Sequence, residues 1–296
     1  MPLVAAKCTE CGGAAKVDSE KKAAICQSCG NAFIVEEAIN YFNTQYFNTT
    51  NITNSVVHIH EDKNKDFKIV AGELKKYTGE AVEVVIPDTV IRIGENAFKE
   101  TLIKSVVIPD SVLSIEDSAF FRCENLASII ISDGVESIGR NAFLGCKSLG
   151  DVTIPNSVAN IENCAFYGCT SLENVRIPSN VSTINDGVFQ DCSSLKSVTI
   201  PKNVKAIGNQ AFLDCSSLMS ITIPDGVESI GYSAFSGCSA LRNVQISPEL
   251  LERGVGRTSA FRETPFLEQE RLRRGLCQRC GGKLSMFVGK CKSCGK

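Results

Sequence analysis

Residues Leu149–Cys169 read Leu-Gly-Asp-Val-Thr-Ile-Pro-Asn-Ser-Val-Ala-Asn-Ile-Glu-Asn-Cys-Ala-Phe-Tyr-Gly-Cys, and the same order of apolar positions returns every 23 residues. Phenylalanine marks the period at Phe120, Phe143, Phe166, Phe189, Phe212 and Phe235. A strict repeat of this length is the mark of a solenoid, in which one coil cannot bury its apolar side chains alone and stacked coils bury them together. The fold class expected is therefore a mainly-β repeat solenoid of 23-residue coils with short parallel strands.

Within the unit, Val152-Thr153-Ile154 alternates with the period of a strand, inward at the first and third positions and outward at the second. Proline follows at Pro87, Pro109, Pro155, Pro178, Pro201 and Pro224, where the strand must stop because proline has no N–H to give a ladder. The polar pairs after it, such as Asp110-Ser111 and Asp225-Gly226, supply turn chemistry. Ser132 and Ser247 stand in for proline, the first coil lacks the cysteine after Phe98, and Phe98 to Phe120 is one residue short. From Phe235 to Phe261 the interval is 26, which reads as a degenerate last coil at Gly254–Phe261.

The recurring Ile-Pro-x-x-Val-x-x-Ile-x-x-x-Ala-Phe-x-x-Cys pattern over Val82–Phe261 resembles the BspA-type leucine-rich repeats. The repeat implies one elongated body with small appendages and points to a binding surface. The resemblance extends to bacterial cytosolic proteins that combine this repeat with zinc ribbons, which suggests the order of segments: a ribbon at 1–35, a polar linker at 36–66, a capping hairpin at 67–81, the solenoid at 82–262, a capping helix at 263–276 and a second ribbon at 277–296.

The two ends carry the metal expectation. Of the 15 cysteines, eight form four Cys-x-x-Cys pairs: Cys8/Cys11, Cys26/Cys29, Cys277/Cys280 and Cys291/Cys294. Each pair is followed by glycine, so backbone N–H groups can point at thiolates and four sulfurs can converge tetrahedrally on one Zn2+ per end. Modules this small have too little core to fold without the metal, which makes two structural zinc sites the reading. Iron in the same sulfur cage, paired disulfides and a redox pair are the alternatives, the last disfavoured because no βαβ unit surrounds these cysteines.

The expected partner surface is the row of outward strand positions, Val85, Val107, Ile130, Thr153, Arg176, Thr199, Thr222 and Gln245. Its apolar end, Val85, Val107 and Ile130, is the candidate contact for an unknown protein, with Arg176 farther along. The competing reading is that Val, Ile and Thr merely suit exposed strands. From Arg271 onward eight basic residues, among them Arg271, Arg273 and Arg274, meet no acid, so nucleic-acid docking is the second reading. No recognition helix or aromatic platform accompanies the charge, and such residues are often a solvated face.

Other candidates are weaker. The repeat cysteines Cys123, Cys146, Cys169, Cys192, Cys215 and Cys238 have no neighbour to deprotonate them and read as a buried ladder. His58 and His60, the only histidines, lack a third ligand and receive no role. Residues 40–54 read as a mobile Asn/Thr-rich linker with interspersed aromatics. No Ser-His-Asp set, phosphate loop or His-Glu-x-x-His helix occurs, so no small-molecule substrate and no enzyme activity are expected. No run approaches the roughly 20 apolar residues of a membrane span, and Met1–Cys8 does not resemble a secretory signal. The expectation is a cytoplasmic, bacterial-type adaptor, with a surface adhesin as the third reading.

Overall fold

The computed structural model describes residues 3–7, 14–18, 23–25, 32–34, 65–251 and 259–273. It divides the chain into two compact units, Met1–Glu61 and Asp62–Lys296. In the first, β1 (Leu3–Lys7) pairs antiparallel with β2 (Ala14–Asp18), and β3 (Ala23–Ile25) with β4 (Ala32–Ile34). Residues 36–64 of the expected linker, both histidines, residues 252–258 of the last coil and residues 274–296 lie outside the described residues.

The second unit opens with a hairpin of β5 (Phe67–Val70) and β6 (Glu73–Tyr77). Its turn, Ala71-Gly72, has both residues at positive φ, 49° and 76°, the twist that a two-residue hairpin requires and that Gly72 accepts without strain. From there the chain winds in coils that each contribute two strands. The longer ones are β7 (Glu83–Val85), β9 (Ser105–Ile108), β11 (Ser128–Ile131), β13 (Asp151–Thr153), β15 (Asn174–Arg176), β17 (Ser197–Thr199), β19 (Ser220–Thr222) and β21 (Asn243–Gln245). Between them fall two-residue strands: β8 (Arg92–Ile93), β10 (Ser114–Ile115), β12 (Ser137–Ile138), β14 (Asn160–Ile161), β16 (Thr183–Ile184), β18 (Ala206–Ile207) and β20 (Ser229–Ile230).

Each set stacks in parallel on its own side. The longer strands give a six-stranded ladder from β7 to β17 and a pair β19–β21, while the shorter give β6 to β14, with β5 outermost, and β16 to β20. The solenoid expectation holds, and the second ladder is an addition to it. Two residues are too few for an alternating pattern to register in sequence, and they are strands only because the coils above and below pair with them.

A third set of hydrogen bonds joins the coils where no strand is assigned. In the coil quoted above, the N–H groups of Cys164, Phe166 and Gly168 donate to the carbonyls of Asp186, Val188 and Gln190 at 2.9, 2.9 and 2.8 Å. Two residues of this arch, four positions apart, are left-handed: the first slot holds Asn96, Ser118, Asn141, Cys164, Gln210 and Ser233, with Gly187 at φ 62° in the same place. The left-handed region costs roughly 1 kcal/mol or more for a residue with a Cβ, so these bonds must hold the arch against local preference.

The core is a column of identical layers. Eight phenylalanines, Phe98, Phe120, Phe143, Phe166, Phe189, Phe212, Phe235 and Phe261, are fully buried. Neighbouring rings sit 4.8 to 5.6 Å apart and within 16° of parallel. That spacing is close to the distance between hydrogen-bonded strands, and rings so offset retain the stacking attraction. The column closes with tilted rings at both ends. Phe67 leans on Tyr77 at 49°, and Phe266 meets Phe261 edge-on at 65°.

Phe266 belongs to a helix, α2 (Pro265–Arg273), which follows the short α1 (Pro248–Leu250) and a 3-10 turn at Ser259–Phe261. Thr264 is buried and its Oγ1 accepts the N–H of Leu267 at 3.2 Å, capping α2, while proline occupies the first position, where a missing N–H does no harm. Leu267 is buried against the last coil, so α2 covers an end that would otherwise expose the core. Ser247 caps α1 by accepting the Leu250 N–H at 3.2 Å. Ser132, the other proline substitute, donates to the Ile108 carbonyl at 2.6 Å.

The six repeat thiols lie in this core, and each donates to the phenylalanine carbonyl of the preceding coil. Cys123 reaches Phe98 O at 2.9 Å, Cys146 reaches Phe120 O at 3.2 Å, and Cys169 reaches Phe143 O at 3.3 Å. Cys192, Cys215 and Cys238 repeat the bond. Thr101 stands in the slot the first coil leaves without a cysteine, its Oγ1 3.4 Å from Cys123 Sγ. Burial pushes the Cys146, Cys169 and Cys192 thiols well up, so they remain protonated and unreactive.

Two outcomes follow. Phe166→Ala removes a ring from the middle of the column and is expected to cost about 3–5 kcal/mol in chemical denaturation. The thiols give stability a pH dependence of definite sign: their folded pKa is raised, so the unfolded chain releases these protons first. Stability is full below the ordinary thiol pKa of about 8.5 and declines as pH rises above it. Denaturation midpoints from pH 7 to pH 10 should fall along that course, with a shallower slope in Cys169→Ala.

Candidate protein-binding face

The ladder of longer strands fixes the outward row. Cα pairing sets Val85 beside Val107, Val107 beside Ile130, and Ile130 beside Thr153, so three consecutive coils present aliphatic side chains in line. Val84, Val106, Ile129 and Val152 alternate into the core beneath them. Val85 at the end of the row is 67% exposed, and Val107 and Ile130 are half-buried by their neighbours. Arg176 is exposed and paired in register with Thr199 on the adjacent strand.

Beyond Thr153 the face is polar and partly bonded to itself. Ser197 Oγ donates to Asn174 Oδ1 at 2.7 Å, and Thr222 Oγ1 to Gln245 Oε1 at 3.0 Å. Lys147 and Lys196 pair with Glu124 and Glu173, one coil away, at 2.8 and 2.7 Å. These pairs are about half exposed and contribute little to stability; they neutralise the surface of the middle coils.

Two further slots share the apolar end, and the strand pattern did not point to them. Leu102 is 72% exposed where later coils carry Asn125, Ser148, Ser171, Ser194, Ser217 and Ala240. Ile91 and Leu113 are exposed where later coils carry Glu136, Ala159, Ser182, Lys205 and Glu228. The signal was present in sequence as a departure from the repeat, visible only when the coils are aligned slot by slot. These slots therefore carry large aliphatic side chains in the first coils and polar or small ones in the rest.

At the opposite edge of the coils, burial and the neighbouring carboxylates of Asp191 and Glu263 push the Asp214 carboxyl above its usual range. Tyr167 is raised by its hydrogen bond to Asp191. Cys164 is partly buried, and burial raises its thiol too. Among the described residues no group of three or more His, Cys, Asp or Glu side chains is arranged to hold a metal.

All eight cysteines of the expected zinc sites, Cys8, Cys11, Cys26, Cys29, Cys277, Cys280, Cys291 and Cys294, lie outside the described residues, as does Arg274. Arg271 and Arg273 are on α2. Arg273 is held by Glu270 through two bonds of 2.9 Å, a fork-to-carboxylate pair one turn apart on the helix. Among the described residues no helix is long and apolar enough to cross a membrane.

Two solved structures share this architecture. A leucine rich cell surface protein from Faecalibacterium prausnitzii A2-165 is 37% identical with a TM-score of 0.56, over 60% of this chain and 52% of its own. A leucine rich repeat protein from T. pallidum is 30% identical with a TM-score of 0.55, over 66% of this chain and 90% of its own. The chain thus spans about half the length of the Faecalibacterium protein. No curated protein matches it. The family pattern described as the BspA type leucine rich repeat region matches residues 76–196 and 136–268, more than half of the chain. With its column of phenylalanines, buried thiols and proline-terminated strands, the chain belongs to the BspA-type leucine-rich repeat family.

Proposed function

We propose that this protein is a non-catalytic adaptor that binds a partner protein through the first coils of its strand face. The observation that carries this reading is the apolar turn of three outward slots in the same coils, led by Val85 at 67% and Leu102 at 72% exposure. The in-register row of Val85, Val107 and Ile130 on a rigid frame favours burial against another surface, each fully buried side chain contributing about 1.5–3 kcal/mol before ordering costs. The buried, protonated repeat thiols support the non-catalytic part, since no nucleophile is poised there.

Display on the cell surface is the second reading. It is favoured by the Faecalibacterium relative, whose structure is described as that of a leucine rich cell surface protein. Nucleic-acid docking through the basic C-terminal stretch draws no comparable support, since Arg273 is already paired with Glu270.

We also propose one structural Zn2+ at each end, held by Cys8, Cys11, Cys26 and Cys29 and by Cys277, Cys280, Cys291 and Cys294. Support comes from the four Cys-x-x-Cys pairs and from topology: the first two pairs fall in the connections between β1 and β2 and between β3 and β4. Their role would be to fold the two ends and orient them.

Three measurements check these statements. Val85→Asp combined with Val107→Thr and Ile130→Thr places on the first coils the polar character of the later ones and should abolish capture of the partner from lysate, nuclease-treated or not. Thr153→Ala with Thr199→Ala should leave capture intact. Equal capture by both variants would remove the site from this face. Protease treatment of intact cells should spare an adaptor inside the cell and cleave a surface protein. Elemental analysis of the purified protein should find two zinc per chain, reduced to one in Cys291→Ser/Cys294→Ser.

A further inference from the structure

The two strand ladders end differently at the first coil. The ladder of two-residue strands is closed by β6 and then β5, where Lys68 is exposed and the register shifts between Lys68 and Ile69. A lysine and a bulge on an outermost strand are devices that keep it from recruiting another chain. On the other ladder β7 is outermost, and among the described residues no strand pairs with its far side. Residues 81–86 read Ala-Val-Glu-Val-Val-Ile, with no lysine, bulge or proline before Pro87.

The main-chain groups on that far side can be assigned. The Val82 carbonyl accepts the N–H groups of Lys104 and Ser105 at 2.6 and 3.1 Å, and the Ile86 N–H donates to Val107 O at 3.0 Å. In a parallel ladder the N–H and C=O of one residue face the same neighbour and those of the next residue face the opposite one. Val82, Val84 and Ile86 therefore bond to β9, and the N–H and C=O groups of Glu83 and Val85 point outward along the sheet. The side chains of Glu83 and Val85 are exposed on the solvent face, and Val84 is buried between them.

We propose that β7 is a strand-addition site for an extended segment of a partner protein, bearing a basic and an aliphatic residue two positions apart. The basic side chain lies beside Glu83, with Glu80 exposed just upstream; the aliphatic one lies beside Val85; the residue between them is apolar and continues the layer of Val84. Cross-strand opposite charges stabilise such a pair and like charges oppose it, so the acidic edge selects a basic strand and disfavours the same edge of a second copy. Main-chain bonds supply affinity and the alternate side chains supply selectivity. The site rests on the outward main-chain groups of β7 and on Glu83 and shares only Val85 with the apolar face, so charge preference at Glu83 and partner capture through Val107 and Ile130 can fail separately.

The test uses the full-length protein and the peptide acetyl-Ser-Thr-Lys-Val-Val-Thr-Ser-amide, with a version carrying Glu for Lys as comparison. In the free protein the amides of Glu83 and Val85 should exchange with solvent much faster than that of Val107, and the Lys peptide should protect both. The Glu peptide should bind roughly fivefold more weakly, and Glu83→Lys should reverse that preference, which an unfolded variant cannot do. Val85→Pro removes one outward N–H and keeps the bonds of Val84 and Ile86 to β9; affinity should fall roughly threefold to tenfold with the melting transition retained. Amides already protected in the free protein would mean that its own chain or a second copy covers the edge and would overturn the proposal. So would no binding at millimolar peptide, or an unchanged preference in Glu83→Lys.

Discussion

One distance governs the solenoid: the spacing of about 4.8 Å between hydrogen-bonded strands. Two ladders, with breaks between β17 and β19 and between β14 and β16, and the arch around Cys164, Phe166 and Gly168 impose it on three sides of the solenoid. Whatever fills the interior must repeat at that interval. A flat ring does so, and the phenylalanine column follows the strands at 4.8 to 5.6 Å. A small thiol does so as well and satisfies a second requirement, because the phenylalanine carbonyls of the arch are buried and Cys Sγ is at hand one coil later to donate to them. The same spacing explains why the surface is laid out in 23-residue steps, with Lys147 meeting Glu124 and Lys196 meeting Glu173 across adjacent coils.

A column of identical layers has no internal reason to stop, and the ends show how it is stopped. At one end Tyr77 lies on Phe98 and Phe67 tilts on Tyr77. At the other, Phe266 turns its edge to Phe261 and Leu267 is buried behind it. A tilted ring no longer offers a flat face for the next layer, and the β5–β6 hairpin and α2 carry the polar surfaces that a bare coil lacks. The ladder of longer strands is finished less completely at the first coil, and the apolar slots of Val85, Leu102 and Leu113 gather in the same coils.

What could be read from sequence follows the physics of repetition. The period, the strand at Val152–Ile154, the proline stops and the outward row were legible because each rests on a pattern that many coils repeat. The strands at Ser114–Ile115 and its counterparts were not, since two residues carry no periodicity of their own. The left-handed slot was hidden in a different way: Asn96, Ser118, Cys164, Gly187 and Gln210 share a backbone conformation but no chemistry, and only the bonds from the adjoining coil reveal it. Of the candidate site, Val85, Val107 and Ile130 were found through strand alternation. Leu102 and Ile91 were missed because they precede strands and look like ordinary turn residues until set against the serines and charges of later coils.

The stacked column also makes length an independent variable. The layer at Phe143 and the layer at Phe212 meet nearly the same neighbours above and below, with ring spacings of 5.1 and 5.2 Å on their far sides. Copying or deleting one 23-residue coil in the middle would leave every remaining layer with a partner of the shape it already fits and both caps with their own end layers. Each such step would move the caps by one strand spacing and add one row to the polar part of the strand face. A lineage built on this unit can change its reach in increments of about 5 Å without redesigning a core.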